Sequence, residues 1–220
     1  MIETITLPSG VPARLARPGE GPATAGLVVA PDIGGLRPLF DDLCQRLADE
    51  NRWVVCAPEP FPGREHLNLG ERMEAVTGLV DGDQVGALVE AADATGADRV
   101  GLIGFCMGGM YSLKASGTGR FSRCVAFYGM IRVPEDWRSA GQGEPLEAVT
   151  TPGASPVLAI VGTADPYTPA GDVDDLEATG AEVVRYEGAE HGFVHDPGRP
   201  AHRPDDAADA WRRAIAFLNA

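Results

Sequence analysis

The hydrophobic positions of the chain fall into short continuous runs that alternate with segments of helical spacing. Continuous apolar runs are typical of strands buried on both faces, whereas apolar residues three or four positions apart indicate helices that cover a core. The runs predict strands over residues 25–30, 53–57, 100–103, 124–128, 157–161 and 183–186. Helical spacing predicts helices over residues 39–47, 85–92, 107–115 and 207–218, with a further helix from about residue 169. This alternation predicts an α/β fold with a mostly parallel central sheet and helices on both faces.

The beginning of the chain and two Pro- and Gly-rich segments depart from this alternation. Residues 2–7 and 11–17 predict two short strands joined by a turn, and Pro12 favours an edge position because proline cannot donate a ladder hydrogen bond. We therefore expect an N-terminal antiparallel edge hairpin. Residues 58–70 and 131–156 predict long loops, of which we expect the first to line a site and the second either to pack over it or to be mobile.

Composition and charge narrow the class of protein. The 220 residues, 44% of them hydrophobic, can bury one core, which predicts a single domain over residues 1–220. A formal net charge of −14 argues against nucleic acids and anionic membranes as partners. The start of the chain has no signal-peptide pattern and no apolar run is long enough to span a membrane, so we expect a cytoplasmic protein, monomeric or a small homo-oligomer. The four cysteines form no Cys-x-x-Cys pair, which suits reduced thiols, and neither a metal nor a cofactor is expected.

Cys106 is the strongest candidate for chemistry. It lies between a predicted strand and a predicted helix in the frame Gly104-x-Cys106-x-Gly108, which is the frame of a nucleophile elbow with sulfur in place of oxygen. The following helix favours a thiolate and can stabilise an oxyanion through its N-terminal N–H groups. The alternatives are a buried structural cysteine and a phosphate-binding loop, and the second lacks the Gly-Lys-Ser/Thr ending.

A cysteine nucleophile needs a base and a carboxylate that orients the base, and the chain offers both after predicted strands. His191 follows the last strand, with His195 as a weaker contender, and Asp165 follows the strand before it. Taken alone, Asp165 would be a turn-forming residue ahead of Pro166. The chain order Cys106, Asp165, His191 is nevertheless the order nucleophile, acid, histidine of α/β-hydrolases.

Together, three segments resemble the dienelactone hydrolase family, and the resemblance covers nearly the whole chain. The segments are residues 101–109, 162–169 and 190–193. The resemblance implies an α/β-hydrolase fold with a triad in which Cys106 is the nucleophile, His191 the base and acid, and Asp165 the orienting carboxylate. It also implies an oxyanion hole formed by the backbone N–H groups of Ile33 and Met107.

Two positions depart from the family pattern. Where the family often has a glutamate held against the resting thiol, this chain has Asp32, which the resemblance places against the thiol or its loop. The alternative is a strand-end aspartate that caps the turn at residues 34–35. Where the family has an arginine after the catalytic histidine, this chain has His195, and Arg64 or Arg72 could substitute in binding the substrate.

The leading hypothesis is a cofactor-independent hydrolase of small esters or lactones that works through an acyl-enzyme and is a poor match for dienelactone itself. One alternative is a carboxylesterase or thioesterase with a different acyl group. Another is a non-catalytic, redox-sensing protein that uses Cys106 as a reactive thiol on the same fold.

Overall fold

The predicted strands form one eight-stranded sheet in the computed structural model, which describes residues 2–220. Met1, the first residue of the predicted domain, lies outside the described residues. The strands are β1 (Ile2–Thr6), β2 (Pro12–Ala16), β3 (Ala25–Ala30), β4 (Trp53–Pro58), β5 (Val100–Phe105), β6 (Cys124–Phe127), β7 (Val157–Gly162) and β8 (Glu182–Tyr186). The helices are α1 (Pro38–Asn51), α2 (Leu69–Ala75), α3 (Asp81–Ala94), α4 (Met107–Ser116), α5 (Pro145–Val149), α6 (Ala170–Ala178) and α7 (Pro204–Asn219).

The strand order is β1-β2-β4-β3-β5-β6-β7-β8. β2 pairs antiparallel with both β1 and β4, and every later pair is parallel, so the predicted mostly parallel sheet with an N-terminal antiparallel hairpin is confirmed. The chain passes from β3 through α1 to β4 on one side and later returns to β5 on the other side of β3. The carboxyl ends of β3 and β5 are therefore neighbours at the point where the winding reverses, which is where open α/β sheets form a crevice.

Helices cover both faces of the sheet, as the alternation predicted. α1 and α7 pack on one face, and α3, α4 and α6 contribute to the apolar layer on the other. Successive residues of β5 serve the two layers in turn, because strand side chains point to opposite faces: Leu102 packs in the α3 and α4 layer, and Ile103 in the α1 and α7 layer. Burial on both faces explains why the strands read as continuous apolar runs.

Both segments predicted to be long loops include helical residues. The first is irregular only up to Asn68, where α2 begins with a capping box: the Asn68 side chain accepts a hydrogen bond from the Glu71 N–H at 3.1 Å, and the Glu71 carboxylate accepts one from the Asn68 N–H at 2.8 Å. The second contains α5 and a 3₁₀ turn at Glu135–Trp137. These elements escape prediction because they are too short for an apolar period to be read.

The turn between β5 and α4 depends on two glycines that leave no room for a side chain. A Cβ on Gly104 would lie 2.0 Å from the Gly108 carbonyl oxygen, and a Cβ on Gly108 would lie 2.1 Å from the Ala30 carbonyl oxygen. Both neighbours are backbone atoms that cannot move without displacing β3 or α4. The Gly-x-Cys-x-Gly frame is therefore a steric requirement of bringing α4 this close to the sheet.

Gly108→Ala is expected to lower the free energy of unfolding by at least about 3 kcal/mol, because its methyl group must displace the end of β3. The measurement is urea unfolding followed by circular dichroism. Gly86→Ala is the matched control: Gly86 lies inside α3 with open space around its Cβ position, so alanine should stabilise the helix by roughly 0.5–1 kcal/mol. Equal effects of the two substitutions would contradict the steric explanation.

Candidate active site

A cavity of about 600 Å³ opens at the carboxyl ends of the strands. Its lining is predominantly apolar, and it includes one thiol, one imidazole and two arginines. The lining residues are Asp32, Ile33, Gly34, Arg37, Leu69, Met73, Cys106, Met130, Trp137, Tyr167, His191, Asp196 and Arg199. Both segments predicted as long loops therefore contribute to the site, the first through Leu69 and the second through Trp137.

Cys106 lies at the point where β5 turns into α4. Its backbone has φ 55° and ψ −118°, a left-handed conformation that costs free energy for any residue with a side chain. Its N–H donates to the Phe127 carbonyl oxygen at 3.1 Å, and its side chain is partly exposed to the cavity. The other three cysteines are buried, and burial raises their pKa, to about 12 for Cys56. Cys106 is thus the thiol that a ligand in the cavity meets.

His191 lies on the loop after β8 and also lines the cavity. Its Nδ1 is 2.8 Å from Oδ2 of Asp165, and the edge of the Tyr167 ring packs against it at 4.9 Å between centroids. Its Nε2 is buried without a hydrogen-bond partner of ordinary geometry among residues 2–220. Burial acts to lower the pKa of His191, but hydrogen bonding by Asp165 and the nearby Cys106 outweighs burial and raises this pKa to about 9.

Asp165 lies in the turn three residues after the end of β7 and is buried. One carboxylate oxygen, Oδ1, accepts the Tyr167 N–H at 2.9 Å, and the other is the partner of His191 Nδ1. Because an ionised carboxylate can only accept hydrogen bonds, Nδ1 carries the proton, and Nε2 is left as the nitrogen that can exchange a proton with another group. The structure therefore brings together the three side chains that the sequence analysis selected.

The two predicted oxyanion-hole N–H groups belong to residues that follow neighbouring strands, Ile33 after β3 and Met107 after β5. Met107 is the first residue of α4, so its N–H has no acceptor within the helix, and Ile33 lines the cavity in the loop after β3. Neither N–H donates a loop or turn hydrogen bond to another backbone group within residues 2–220.

Asp32 shares the cavity with Cys106 but forms its hydrogen bonds elsewhere. Its carboxylate pairs with the Arg37 guanidinium through two contacts at 2.7 and 2.8 Å and accepts from the Gly34 N–H at 2.9 Å. It also bonds His195 Nε2 at 2.8 Å. Burial would raise the pKa of Asp32, yet the bonds from His195 and Arg37 hold it well below its usual range. Within residues 2–220 the carboxylate makes no hydrogen bond to Cys106, and its hydrogen bonds go to these three partners instead.

Neither arginine predicted to bind substrate lines the cavity. Arg64 is exposed, with its guanidinium over the Phe61 ring, and Arg72 is buried in an ion pair with Glu59 at 3.0 Å. The cavity arginines are Arg37 and Arg199 instead. The signal for Arg37 was its position five residues after Asp32, just beyond the strand-end glycines, whereas Arg199 lies eight residues after His191 in a loop with no sequence pattern.

His195 does not reach the cavity either. Its side chain is 0% exposed, and its ring stacks on Phe105 at 4.8 Å between centroids. The sequence analysis named it as a possible substrate-binding residue because the resemblance places it where the family has an arginine. The direction of a loop side chain depends on tertiary packing, which here turns His195 inward.

The described part of the chain offers neither a metal site nor a membrane-spanning segment. Residues 2–220 contain no group of three His, Cys, Asp or Glu side chains arranged to hold a metal ion. Among the same residues, no helix combines the length and the apolar character needed to cross a membrane.

The pKa of His191 yields a pH prediction. Because this pKa is higher in the folded chain than the ordinary 6.5, the contribution of His191 to the free energy of unfolding is complete below about pH 6.5 and is lost as pH rises through about 9. An NMR titration should find the imidazole midpoint near 9. Asp165→Asn should lower this midpoint, because it weakens the hydrogen bond that raises the pKa of His191. A His191 midpoint near the ordinary 6.5, or one that Asp165→Asn leaves unchanged, would contradict the prediction.

The chain is similar to known proteins over most of its length. The model of the dienelactone hydrolase family matches residues 11–220. A Methylorubrum extorquens protein named "Putative carboxymethylenebutenolidase" is 31% identical over 92% of this chain and 74% of its own length. The carboxymethylenebutenolidase of Rhodococcus opacus is 27% identical over 87% of this chain and 79% of its own length.

A solved structure agrees with the sequence matches. A Klebsiella pneumoniae protein described as a "Putative Dienelactone Hydrolase" superposes with a TM-score of 0.86 at 26% identity, covering 100% of this chain and 98% of that chain. The family match spans both the elbow and the loops that carry Asp165 and His191. The chain therefore belongs to the dienelactone hydrolase family, with the α/β-hydrolase fold, and is a carboxylic ester hydrolase that acts on a small-molecule substrate.

Proposed function

We propose that the protein hydrolyses small esters or lactones through a covalent acyl-enzyme on Cys106, with His191 as base and acid and Asp165 as the orienting carboxylate. The observation that carries the proposal is the 2.8 Å bond between His191 Nδ1 and Asp165 Oδ2 beside an elbow cysteine in one cavity. This bond leaves Nε2 of His191 to exchange a proton with the thiol.

In the first half of the reaction, His191 Nε2 takes the proton of the Cys106 thiol, and the sulfur attacks the carbonyl carbon of the ester. The carbonyl oxygen becomes an oxyanion, which the N–H groups of Ile33 and Met107 stabilise. As the intermediate collapses, the bond from carbon to the leaving oxygen breaks, and His191 Nε2 returns its proton to that oxygen. The products are an alcohol, still tethered in a lactone, and a thioester on Cys106.

In the second half, a water molecule attacks the thioester carbonyl while His191 Nε2 accepts one of its protons. The carbon–sulfur bond then breaks, and the carboxylic acid product and the thiolate form. The raised pKa of His191, about 9, supports this cycle because the imidazolium that forms when Nε2 accepts a proton stays charged at neutral pH until it returns that proton. Asp165 keeps the ring in one tautomer throughout.

The two alternatives differ from this proposal in what they need. A carboxylesterase or thioesterase would use the same groups with another acyl chain, and the apolar walls of the cavity, Leu69, Met73 and Trp137, suit such a chain. A redox-sensing thiol requires neither His191 nor Asp165, so their hydrogen bond beside Cys106 favours hydrolysis.

The test is a panel of lactones, aryl esters and thioesters assayed with the wild type, combined with rapid quenching and mass spectrometry of the intact chain. We expect turnover of at least one class and an added acyl mass that maps to the peptide containing Cys106. Turnover without an acyl mass on Cys106 under single-turnover conditions would contradict the covalent mechanism. Oxidation of Cys106 by peroxide without turnover of any ester would favour the redox alternative.

The charges of the cavity predict little preference for anionic substrates. Both Arg37 contacts to Asp32 are already formed, and Asp196 also lines the cavity, so Arg199 is the cavity arginine that forms no ion pair within residues 2–220. The ratio of kcat/KM between an anionic lactone and its neutral analogue should lie within about tenfold of one. A preference for the anion above about 100-fold that disappears in Arg199→Gln, but not in the control Arg64→Gln, would overturn this prediction.

A further inference from the structure

A second hydrogen-bonded chain of side chains lies buried next to the cavity and contains none of the reacting groups of the proposed reaction. It runs from the Tyr128 hydroxyl to Nδ1 of His195, and from Nε2 of His195 to the Asp32 carboxylate at 2.8 Å. The His195 side chain is 0% exposed and that of Asp32 only 9% exposed. The carboxylate is also held by Arg37 and by the Gly34 N–H.

The hydrogen bond at the Asp32 end of this chain has a fixed direction. The Asp32 carboxylate only accepts hydrogen bonds, since its bonds to His195 and Arg37 keep its pKa low, so His195 Nε2 carries a proton and donates it. Burial holds the pKa of Tyr128 well above its ordinary value, so the phenol stays protonated and can donate a hydrogen bond to His195 Nδ1. The backbone N–H of His195 completes the set by donating to the Tyr128 oxygen at 3.4 Å. Every polar atom of the His195 ring is thereby satisfied within the protein.

The two ends of the chain lie on segments that carry proposed reacting groups. Asp32 precedes Ile33 directly, and its Oδ1 fixes the next N–H along, that of Gly34, at 2.9 Å. At the other end, the Tyr128 ring packs edge-on against the His191 ring at 5.2 Å between centroids. Tyr128 is held in a left-handed conformation with φ 41°, a conformation uncommon for a residue with a side chain, by its own N–H bond to the Ile160 carbonyl oxygen.

We propose that His195 is a positioning residue that ties the loop at residues 32–35 to the His191 loop, so that the Ile33 N–H stays aimed at the developing oxyanion. The proposal rests on the proposed function for the role of that N–H. His195 touches no substrate, because its side chain is fully enclosed and does not line the cavity. A donor that must point at the oxyanion loses its effect when its loop can rotate, so the loss appears in the chemical step.

The test compares His195→Phe with His195→Gln. Phenylalanine keeps the packing on Phe105 but removes both hydrogen bonds, whereas glutamine can place an amide N–H where Nε2 donates to Asp32. We expect His195→Phe to lower kcat about 30- to 100-fold with KM nearly unchanged, and His195→Gln to recover kcat to within about fivefold of the wild type. Alkylation of Cys106 by iodoacetamide, which forms no oxyanion, should proceed at the wild-type rate in both variants.

Hydrogen exchange of the backbone amides of residues 32–35 measures directly how readily this loop opens. We expect faster exchange in His195→Phe than in the wild type and His195→Gln. Val173→Ala, on the buried face of α6, is the control for general loss of stability: it should lower Tm without changing kcat or this exchange. Unchanged exchange at residues 32–35 in His195→Phe, or a parallel fall in kcat and in the alkylation rate, would overturn the proposal.

The loop role of His195 can be tested even if His195→Phe does not fold or no ester is hydrolysed. If His195→Phe does not fold, Tyr128→Phe removes only the hydroxyl end of the chain, and it should raise the exchange of residues 32–35 and lower kcat about 3- to 10-fold. Wild-type exchange in that variant would overturn the proposal. If no ester is hydrolysed, the proposed function fails, yet the exchange comparison still decides whether His195 holds the loop.

Discussion

Cys106→Ala is expected to lower kcat/KM for an activated aryl ester by about 10⁴-fold or more, because the proposed covalent step has no other nucleophile. Cys106 is the cysteine that lines the cavity, and the remaining three are buried with raised pKa values. The measurement is steady-state kinetics on protein whose folding is checked by circular dichroism. Iodoacetamide should label Cys106 in the wild type well before any other cysteine.

Cys44→Ala is the matched control. It removes a buried thiol from the apolar layer of α1 and α7, on the face of the sheet opposite to α4. Its kcat per folded molecule should stay near the wild-type value. Retention of more than about a tenth of the activity in Cys106→Ala, or faster labelling of a buried cysteine, would count against Cys106 as the nucleophile.

His191→Ala should have the second largest effect, a fall in kcat of about 10³-fold or more. The imidazole takes and returns the proton in both halves of the proposed reaction, and its hydrogen bond to Asp165 leaves Nε2 for that exchange. Water that enters the space left by the ring cannot hold a proton at a fixed distance from the sulfur. Kinetics at several pH values would also show whether the dependence on the pKa of about 9 disappears with the ring.

Two other histidines calibrate this result. His66 is exposed outside the cavity, so His66→Ala should leave kcat unchanged. Substitution of His195 should cost far less than that of His191, because His195 acts only through the loop it holds. A larger loss in His195→Phe than in His191→Ala would reverse the assignment of the base.

Much of the fold could be read from the order of apolar segments. Strands buried on both faces must be apolar throughout, so continuous apolar runs predicted β3 to β7. The helices between these strands predicted a parallel sheet. The short helices α2 and α5 could not be read, because one or two turns carry no period. Their positions depend on contacts with distant parts of the chain.

The candidate site also contains residues that the sequence predicted and residues that it could not predict. Cys106, Asp165 and His191 were predictable because each lies within five residues after a strand, and parallel strands bring their carboxyl ends to one edge of the sheet. The side-chain partners of Asp32 and His195 were not predictable: the two are 163 residues apart, and their bond exists only because the β3 loop and the His191 loop meet.

By itself, the sequence determined the class of fold, the elbow that only glycines permit, and the three residues at strand ends, because local sterics and strand periodicity act over a few residues. Only the tertiary structure decided which arginines line the cavity, that Arg72 serves Glu59 instead, and that His195 turns inward to Asp32. The physical reason is that a loop side chain takes the direction in which its polar atoms find partners. Those partners are supplied by segments far away in the chain.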